Sequence, residues 1–362
     1  MLSLLLSFIT STLATLLIIR FKHLHEKITN DHFFNEPQKI HSIAVPRIGG
    51  LSIAIGILAA LLGSLSDGGA KVVALSSLAL CAIPAFAAGF TEDATKNVGV
   101  RTRLFFTAIS AALASYFLRA QVSGLDIPAI DSLFAYPLFG LAFTCFAVAG
   151  LANAYNLIDG INGLASMVAL ISLCAIAYVS IKIGDTLIAS LAFVMIGAIG
   201  GFFIWNYPMG LIFLGDGGSY LIGYWIGMIS ILLISRHAEI SPWFALLVNG
   251  YPICETLFTI YRRKIHQGKK VGHPDSIHFH TLLFHRVLSP KYRLNKSDVR
   301  LAFIANARTS PYLWILSSIA VIPAMIFWNS TNILQIFTLI FVCIYIYLYK
   351  KIVTFKTPKW LM

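Results

Sequence analysis

The chain has 362 residues, of which 58% are hydrophobic and only 12% charged, and its formal net charge is +12. Soluble domains are about 45–50% apolar and about 25% charged, so this composition excludes an ordinary water-soluble domain and points to a bilayer. The basic residues sit in short segments between apolar runs, which is the positive-inside pattern of a membrane protein and not the surface of a nucleic-acid binder.

A membrane-crossing helix needs about 20 apolar residues, and an open sheet cannot satisfy its backbone in lipid, so the apolar runs all read as helices. Eleven spans are predicted, over 2–20, 48–66, 72–90, 104–119, 132–154, 161–182, 185–205, 217–235, 241–261, 311–329 and 331–349. The fold class is therefore an all-α, polytopic integral membrane bundle. Residues 1–362 form a single membrane domain, with one large polar loop over 262–309 between spans nine and ten. The first run has no basic residue before it and is followed by Arg20, Lys22 and Lys27. That polarity is the reverse of a cleavable signal peptide and predicts an uncleaved helix with its N-terminus outside. Alternating the spans from there puts 23 of the 27 Lys and Arg residues on the inner side, and the C-terminus with them. Cys81, Cys145, Cys174, Cys254 and Cys343 lie in or beside apolar runs without metal-like spacing, so they read as small buried residues and not as a disulfide framework.

Five polar clusters interrupt this pattern, and all five are predicted on the inner face: "HSIAVPRIGG" at 41–50, "TEDATK" at 91–96, "NAYNLIDGINGLA" at 153–165, "FLGDGGS" at 213–219 and "HPDSIHFH" at 273–280. Two adjacent acids, Glu92 and Asp93, repel one another and are costly near hydrocarbon, so they read either as loop residues paired with Lys96 or Arg101, or as part of a metal or phosphate site under the headgroups. Asn153, Asn156 and Asp159 are spaced i, i+3, i+6 and share one helix face; three oxygen-bearing side chains in a column suit a hard cation. Asp159-Gly160 then breaks the helix. The glycines around Asp216 allow close backbone approach to a ligand and can present consecutive N–H groups as an anion nest, although a plain turn is the simpler reading. His278 and His280 alternate in the loop that also holds Asp275 and the basic residues Arg262, Arg263, Lys264, Lys269 and Lys270. No thiol or further ligand completes a zinc site there, so phosphate contact is the preferred reading. Acids and amides for Mg²⁺, cations such as Arg101 and Arg103 for phosphates, and a glycine turn together suit phosphoryl transfer between a soluble donor and a lipid acceptor.

These motifs resemble those of the polyprenyl-phosphate N-acetylhexosamine-1-phosphate transferases, glycosyltransferase family 4, and look closest to the branch of undecaprenyl-phosphate N-acetylglucosaminyl-1-phosphate transferases that start O-antigen-like surface glycans. "PRIGG", "EDATK", "NAYNLIDGINGLA", "FLGDGGS" and "DSIHFH" match in order over nearly the whole length. The resemblance implies a Mg²⁺-dependent enzyme, with Mn²⁺ as a substitute metal. Its reaction transfers a sugar 1-phosphate from a UDP-N-acetylhexosamine to undecaprenyl phosphate with release of UMP. The setting it implies is a bacterial inner membrane, with the site facing the cytoplasm. It also implies roles. Asp93 positions or activates the lipid phosphate, with Glu92 beside it. Asn156 and Asp216 are the metal ligands, Asn162 reads uracil, and Phe213 stacks on it. His278 and His280 hold the diphosphate or the sugar. Three departures stand out: Glu92 where the family usually has Asp, Asn162 in place of a frequent Asp, and "HFHT" without the adjacent histidine pair. The region before "PRIGG" lacks the pattern of the phospho-MurNAc-pentapeptide translocase, the alternative within the family. Outside it, a transporter or flippase of sugar-lipid precursors is disfavoured, because the clusters sit at span ends and no repeat is visible. A non-catalytic scaffold is the remaining rival. A homodimer is compatible with such a bundle, but no residue pattern specifies one.

Overall fold

Each predicted span coincides with a helix or a helix pair. The computed structural model describes residues 1–24, 45–66, 68–266, 277–291 and 299–354. The main elements are α1 (Leu2–Arg20), α2 (Gly49–Ser64), α3 (Gly69–Cys81), α4 (Ile83–Thr95), α5 (Val100–Leu118), α6 (Pro137–Ile158), α7 (Leu164–Lys182), α8 (Thr186–Asn206), α9 (Gly215–Arg236), α10 (Pro242–Val248), α11 (Gly250–Tyr261), the short α12 (Phe279–Leu283), α13 (Val299–Ile326) and α14 (Thr331–Val353). Among the described residues, eight helices are long and apolar enough to cross a membrane, counting α3 and α4 as one. The pair α10–α11, bent by 78°, makes a ninth if it is taken as a single span. The expected count of eleven is not reached on these criteria. α2 has only 16 residues, and α5 carries Arg101 and Arg103 in its first turn.

Burial is the reverse of that in a soluble protein. The outer helices α1 and α14 are only 17% buried despite mean hydropathies of 2.2 and 2.0, and they present Leu5, Leu13, Leu17, Ile336 and Leu339 outward. Such apolar surface is stable only against hydrocarbon. The centre is α9, 94% buried, packed among α2, α4, α5, α6, α7 and α8. Without a hydrophobic drive between helices in lipid, small residues and hydrogen bonds carry the packing. Ser11 of α1 donates to the Ala198 carbonyl at 2.7 Å, and Trp225 and Tyr224 of α9 donate to the carbonyls of Leu191 and Leu78 at 3.2 and 3.1 Å. The break between α10 and α11 is tolerated because its polar groups are satisfied internally. Ser172 donates to the Val248 carbonyl at 2.9 Å, and Asn249 accepts from Tyr155 Oη at 3.0 Å and donates to the Ala245 carbonyl at 3.0 Å.

The bundle is stapled at the end where α9 finishes. Asp185 caps the start of α8 by accepting from the amides of Leu187 and Ile188, and its other oxygen meets Arg236 Nε at 2.7 Å and His237 Nε2 at 2.8 Å. The first turn of α9 lies at the opposite end, and the polar clusters gather there.

Candidate active site

The site is built around the N-terminus of α9. Residues 46–50 run alongside 213–214: Phe213 N donates to the Pro46 carbonyl, Gly49 N to the Phe213 carbonyl and Gly50 N to the Leu214 carbonyl, each at 2.9 Å. The glycines of "PRIGG" and "AAGF" are there because no side chain fits. A Cβ on Gly50 would fall 2.3 Å from Gly218 N, and one on Gly89 would fall 2.7 Å from the carbonyl carbon of Asp216. The starts of α2 and α9 and the end of α4 therefore meet backbone to backbone.

That contact delivers Asp93 to the end of α9. The first amides of a helix have no partner within it and carry partial positive charge. Asp93, 2% exposed, takes two of them: Oδ1 accepts from Asp216 N and Oδ2 from Gly217 N, both at 2.9 Å. Successive helix residues point about 100° apart, so Glu92 cannot join it. Its Oε2 instead accepts from Val98 N at 2.7 Å and closes the turn after α4. The side chain of Asp216 faces two guanidinium groups, Arg47 Nη2 at 3.5 Å and the buried Arg103. Arg103 also lies over the Tyr220 ring, 5.5 Å from its centroid. Arg101, one turn edge away, is exposed and does not enter the cluster.

The amide-acid column of α6 faces the same turn. Asn153 Oδ1 accepts from Tyr220 Oη at 3.2 Å. Half-buried Asn156 lies one turn further on, and Asp159 follows at the C-terminal end of α6. Asp159 shares its environment with Gly215 N, Arg47 and Asp93. Desolvation pushes its carboxyl up to about 8; Arg47 and the Gly215 amide oppose the rise and the Asp93 charge adds to it. This is the direction expected when two acids share a dry site. The following turn is pinned from two other helices. Asn162 N donates to Asn306 Oδ1 at 3.0 Å, Ser310 Oγ to the Asn162 carbonyl at 2.6 Å, Trp314 Nε1 to the Gly163 carbonyl at 3.1 Å, and Gly163 N to Asn206 Oδ1 at 2.7 Å. The Asn162 side chain is buried, with Nδ2 donating to the Pro208 carbonyl at 3.2 Å; its Oδ1 has no hydrogen-bond partner among the described residues. Phe213 is half-buried at the rim.

The histidines close the site from the large loop. His278 and His280 are buried, and their rings stack in parallel with centroids 5.5 Å apart. A Cβ on Gly160 would lie 2.5 Å from His280 Nε2, so the pair rests on the Asp159-Gly160 turn. Behind His278 stands a residue that motif reading did not single out, Glu255. This fully buried acid of α11 takes His278 Nδ1 at 3.2 Å and Phe279 N at 3.1 Å on Oε1, and Tyr345 Oη at 2.7 Å on Oε2. One acid inside the apolar run "YPICETLF" was the available signal. Arg47 of "PRIGG", to which the motif by itself assigns no role, is the cation common to Asp93, Asp159 and Asp216. Asp275 lies outside the described residues.

Residues from all five sequence clusters thus meet in one place. The comparisons point the same way: a family model described as Glycosyl transferase family 4 matches residues 75–234, the segment that carries Asp93, Asp159 and Asp216. Over that segment the chain is similar to glycosyl transferase family 4. It is 28% identical over 253 residues to a probable undecaprenyl-phosphate N-acetylglucosaminyl 1-phosphate transferase of Bacillus subtilis, covering 70% of this chain and 68% of that protein. It is 29% identical over 255 residues to an undecaprenyl-phosphate alpha-N-acetylglucosaminyl 1-phosphate transferase of Salmonella typhi, covering 68% and 67%. A phospho-N-acetylmuramoyl-pentapeptide-transferase of Streptococcus thermophilus is 30% identical over 207 residues, 53% of this chain and 59% of that one. Similarity to the first two kinds thus reaches further along the chain than similarity to the third.

Proposed function

We propose that this chain is a glycosyl transferase family 4 enzyme, which transfers an N-acetylhexosamine 1-phosphate from a UDP-sugar to undecaprenyl phosphate at the cytoplasmic face of a bacterial inner membrane. The observation that carries the reading is the convergence of Asp93, Asp159, Asp216, Arg47 and Arg103 on the first turn of one central helix, with the histidine pair against the adjoining Asp159-Gly160 turn. In the reaction, an oxygen of the lipid phosphate attacks the phosphorus attached to the sugar. The new P–O bond forms as the bond to the bridging oxygen breaks, and UMP leaves with that oxygen and its electron pair. Arg47 and Arg103 offer guanidinium donors to phosphate oxygens, which match them bidentately. Asp93 holds the helix end, and the turn built on it, in register. Asn162 is the residue that would read uracil N3–H and Phe213 the ring that would stack on the base; Asn162 Oδ1 is buried against Gly210 as well as unpartnered, so the base reaches it only when that turn opens. A groove of about 530 Å³ between α11 and α14, lined by Gly250, Leu257, Phe258, Phe341 and Ile346, is apolar and suits an isoprenoid tail.

The donor set suits Mg²⁺. Among the described residues no three of His, Cys, Asp and Glu form a ready-made metal cage. Mg²⁺ seldom asks for one, since it is usually held by one or two carboxylates and the substrate's phosphates. Asp159, Asp216 and Asn156 are the oxygen donors that would hold it, and the ion would neutralise charge developing on the diphosphate.

The test is UMP release by purified protein given a panel of UDP-N-acetylhexosamines, a short polyprenyl phosphate and Mg²⁺, with Asp216→Asn as control. Release from at least one donor by wild type, and a loss of about 100-fold or more in the variant, is the expected result. Equal inertness of both toward every donor would leave a scaffold. Trapping a phosphorylated Asp93 would replace direct attack by two displacements.

A further inference from the structure

Glu255 stands apart from the groups assigned above. It lies in α11 with 0% exposure, surrounded by apolar residues of the bundle, where a carboxylate is retained only if donors surround it. Among the described residues its donors come from other elements: His278 Nδ1 and Phe279 N from the start of α12, and Tyr345 Oη from α14. Thr259, one turn along α11, places Oγ1 3.3 Å from the same Nδ1. The carboxylate thus joins the large loop to two membrane helices, and its grip on the loop falls on the first residue of the histidine pair.

We propose that Glu255 is a positioning residue for the transfer reaction, fixing His278 as the tautomer protonated at Nδ1 so that Nε2 is the ring nitrogen turned toward the substrate. This rests on the reading of the site as a sugar-1-phosphate transferase. The geometry has a chemical consequence. Oε1 of a carboxylate only accepts, so the Nδ1 facing it must carry the proton. The backbone amide of Phe279 donates to the same oxygen, so the carboxylate is anchored to the loop backbone while it holds the ring, and a ring flip gives up the Nδ1 contact. The parallel stack then transmits the orientation to His280, which lies against Gly160 beside Asp159. A histidine whose far nitrogen is set by a carboxylate is the arrangement by which proteins orient imidazoles for a task at the near one.

The experiment compares Glu255→Gln with Glu255→Leu. The Gln amide oxygen accepts from His278 Nδ1 and Phe279 N, and its NH₂ donates to Tyr345 Oη, so the network survives; Leu keeps the volume and removes every acceptor. ¹⁵N-histidine spectra in detergent, with His278→Gln to identify the resonance, read the tautomer directly, and UMP release reads turnover. The expected result is an Nδ1-protonated His278 in wild type and Glu255→Gln and a mixed tautomer in Glu255→Leu. UMP release should fall about 10–100-fold in Glu255→Leu and recover most of the way in Glu255→Gln. A folded Glu255→Leu with the wild-type signature, or Gln and Leu variants equally impaired, would overturn the proposal. If the Leu variant does not fold, wild type alone decides: a His278 protonated only at Nε2 overturns it. The wild-type signature in a protein that releases no UMP from any donor would support the Glu255–His278 pairing and sink the reaction assigned to the site.

Discussion

Replacing Asp93 by Asn separates two roles that a loss of activity alone would merge. The carboxylate accepts one hydrogen bond on each oxygen, from Asp216 N and Gly217 N. Asn keeps one acceptor and turns the other into a donor, which then faces a donor. The charge-assisted bond that is lost contributes about 1.5–3 kcal/mol, and the amide left unsatisfied in a buried position costs about 1–3 kcal/mol more. Partial relaxation makes a net destabilisation of about 2–4 kcal/mol the working figure. Glu92→Gln is the internal control. The Gln carbonyl still accepts from Val98 N at a half-exposed turn, so its effect should stay within about 0.5 kcal/mol. Reversible unfolding in mixed detergent micelles, monitored by tryptophan fluorescence, measures both. An Asp93→Asn protein that is inert but unfolds at the wild-type midpoint would refute the capping argument and leave Asp93 with a purely chemical role.

Gly50→Ala and Gly89→Ala each drive a Cβ into the backbone of α9, and overpacking of this kind costs about 1–3 kcal/mol with loss of UMP release. Gly150→Ala, where nothing lies within 4 Å, should be neutral or slightly stabilising in the same unfolding assay. At the opposite end, Asp185 is desolvated by burial, but hydrogen bonds from His237 and Arg236 outweigh that and hold its carboxyl below the usual range. Its stabilising effect is therefore complete above the unfolded value of about 3.9 and is lost as pH falls through the lower folded value. Unfolding midpoints taken from pH 6 down to 3 should fall more steeply for wild type than for Asp185→Asn, and parallel curves would count against the staple.

The convergence was legible in the sequence because lipid is an unforgiving solvent. Asn153, Asn156 and Asp159 in an apolar helix, or Asp216 between glycines, are too costly to be scattered at random, so each pointed to the site before any coordinates. What was hidden depended on rotation and distance. Glu92 and Asp93 look like a pair on the line of the sequence, yet a helix turns them apart, and only the packing of α4 on α9 decides which one enters. Glu255 is a single acid whose histidine partner comes 23 residues later on another element, so no local pattern reveals it. The count of eleven spans is left unconfirmed for a related reason. Apolar windows mark where hydrocarbon is welcome, whereas the helix ends are set by turns such as 159–163, which side chains from α8 and α13 hold in place.

The charges at the start of α9 also bear on how a diphosphate enters. A helix N-terminus normally attracts anions with about half a positive charge, yet here Asp93 already fills it, and Arg47 and Arg103 are engaged with Asp216. An incoming phosphate that takes those arginines bidentately competes with Asp216 for them. A buried carboxylate stripped of its partner costs about 3–5 kcal/mol, so the exchange proceeds cheaply only when another cation replaces the guanidinium. This is the physical ground for the Mg²⁺ proposal, and it makes the two arginines unequal. Arg47 has 28% of its side chain exposed against 9% for Arg103, so Arg47→Gln should leave the fold intact and weaken donor binding. Arg103→Gln leaves Asp216 in a buried position with only the more distant, partly exposed Arg47, which lowers the unfolding midpoint and opens the acid to a metal. Millimolar Mg²⁺ should therefore raise the midpoint of Arg103→Gln more than that of wild type, with EDTA reversing the gain. If Mg²⁺ shifts the two equally, Asp216 is not the acid that exchanges arginine for a divalent ion.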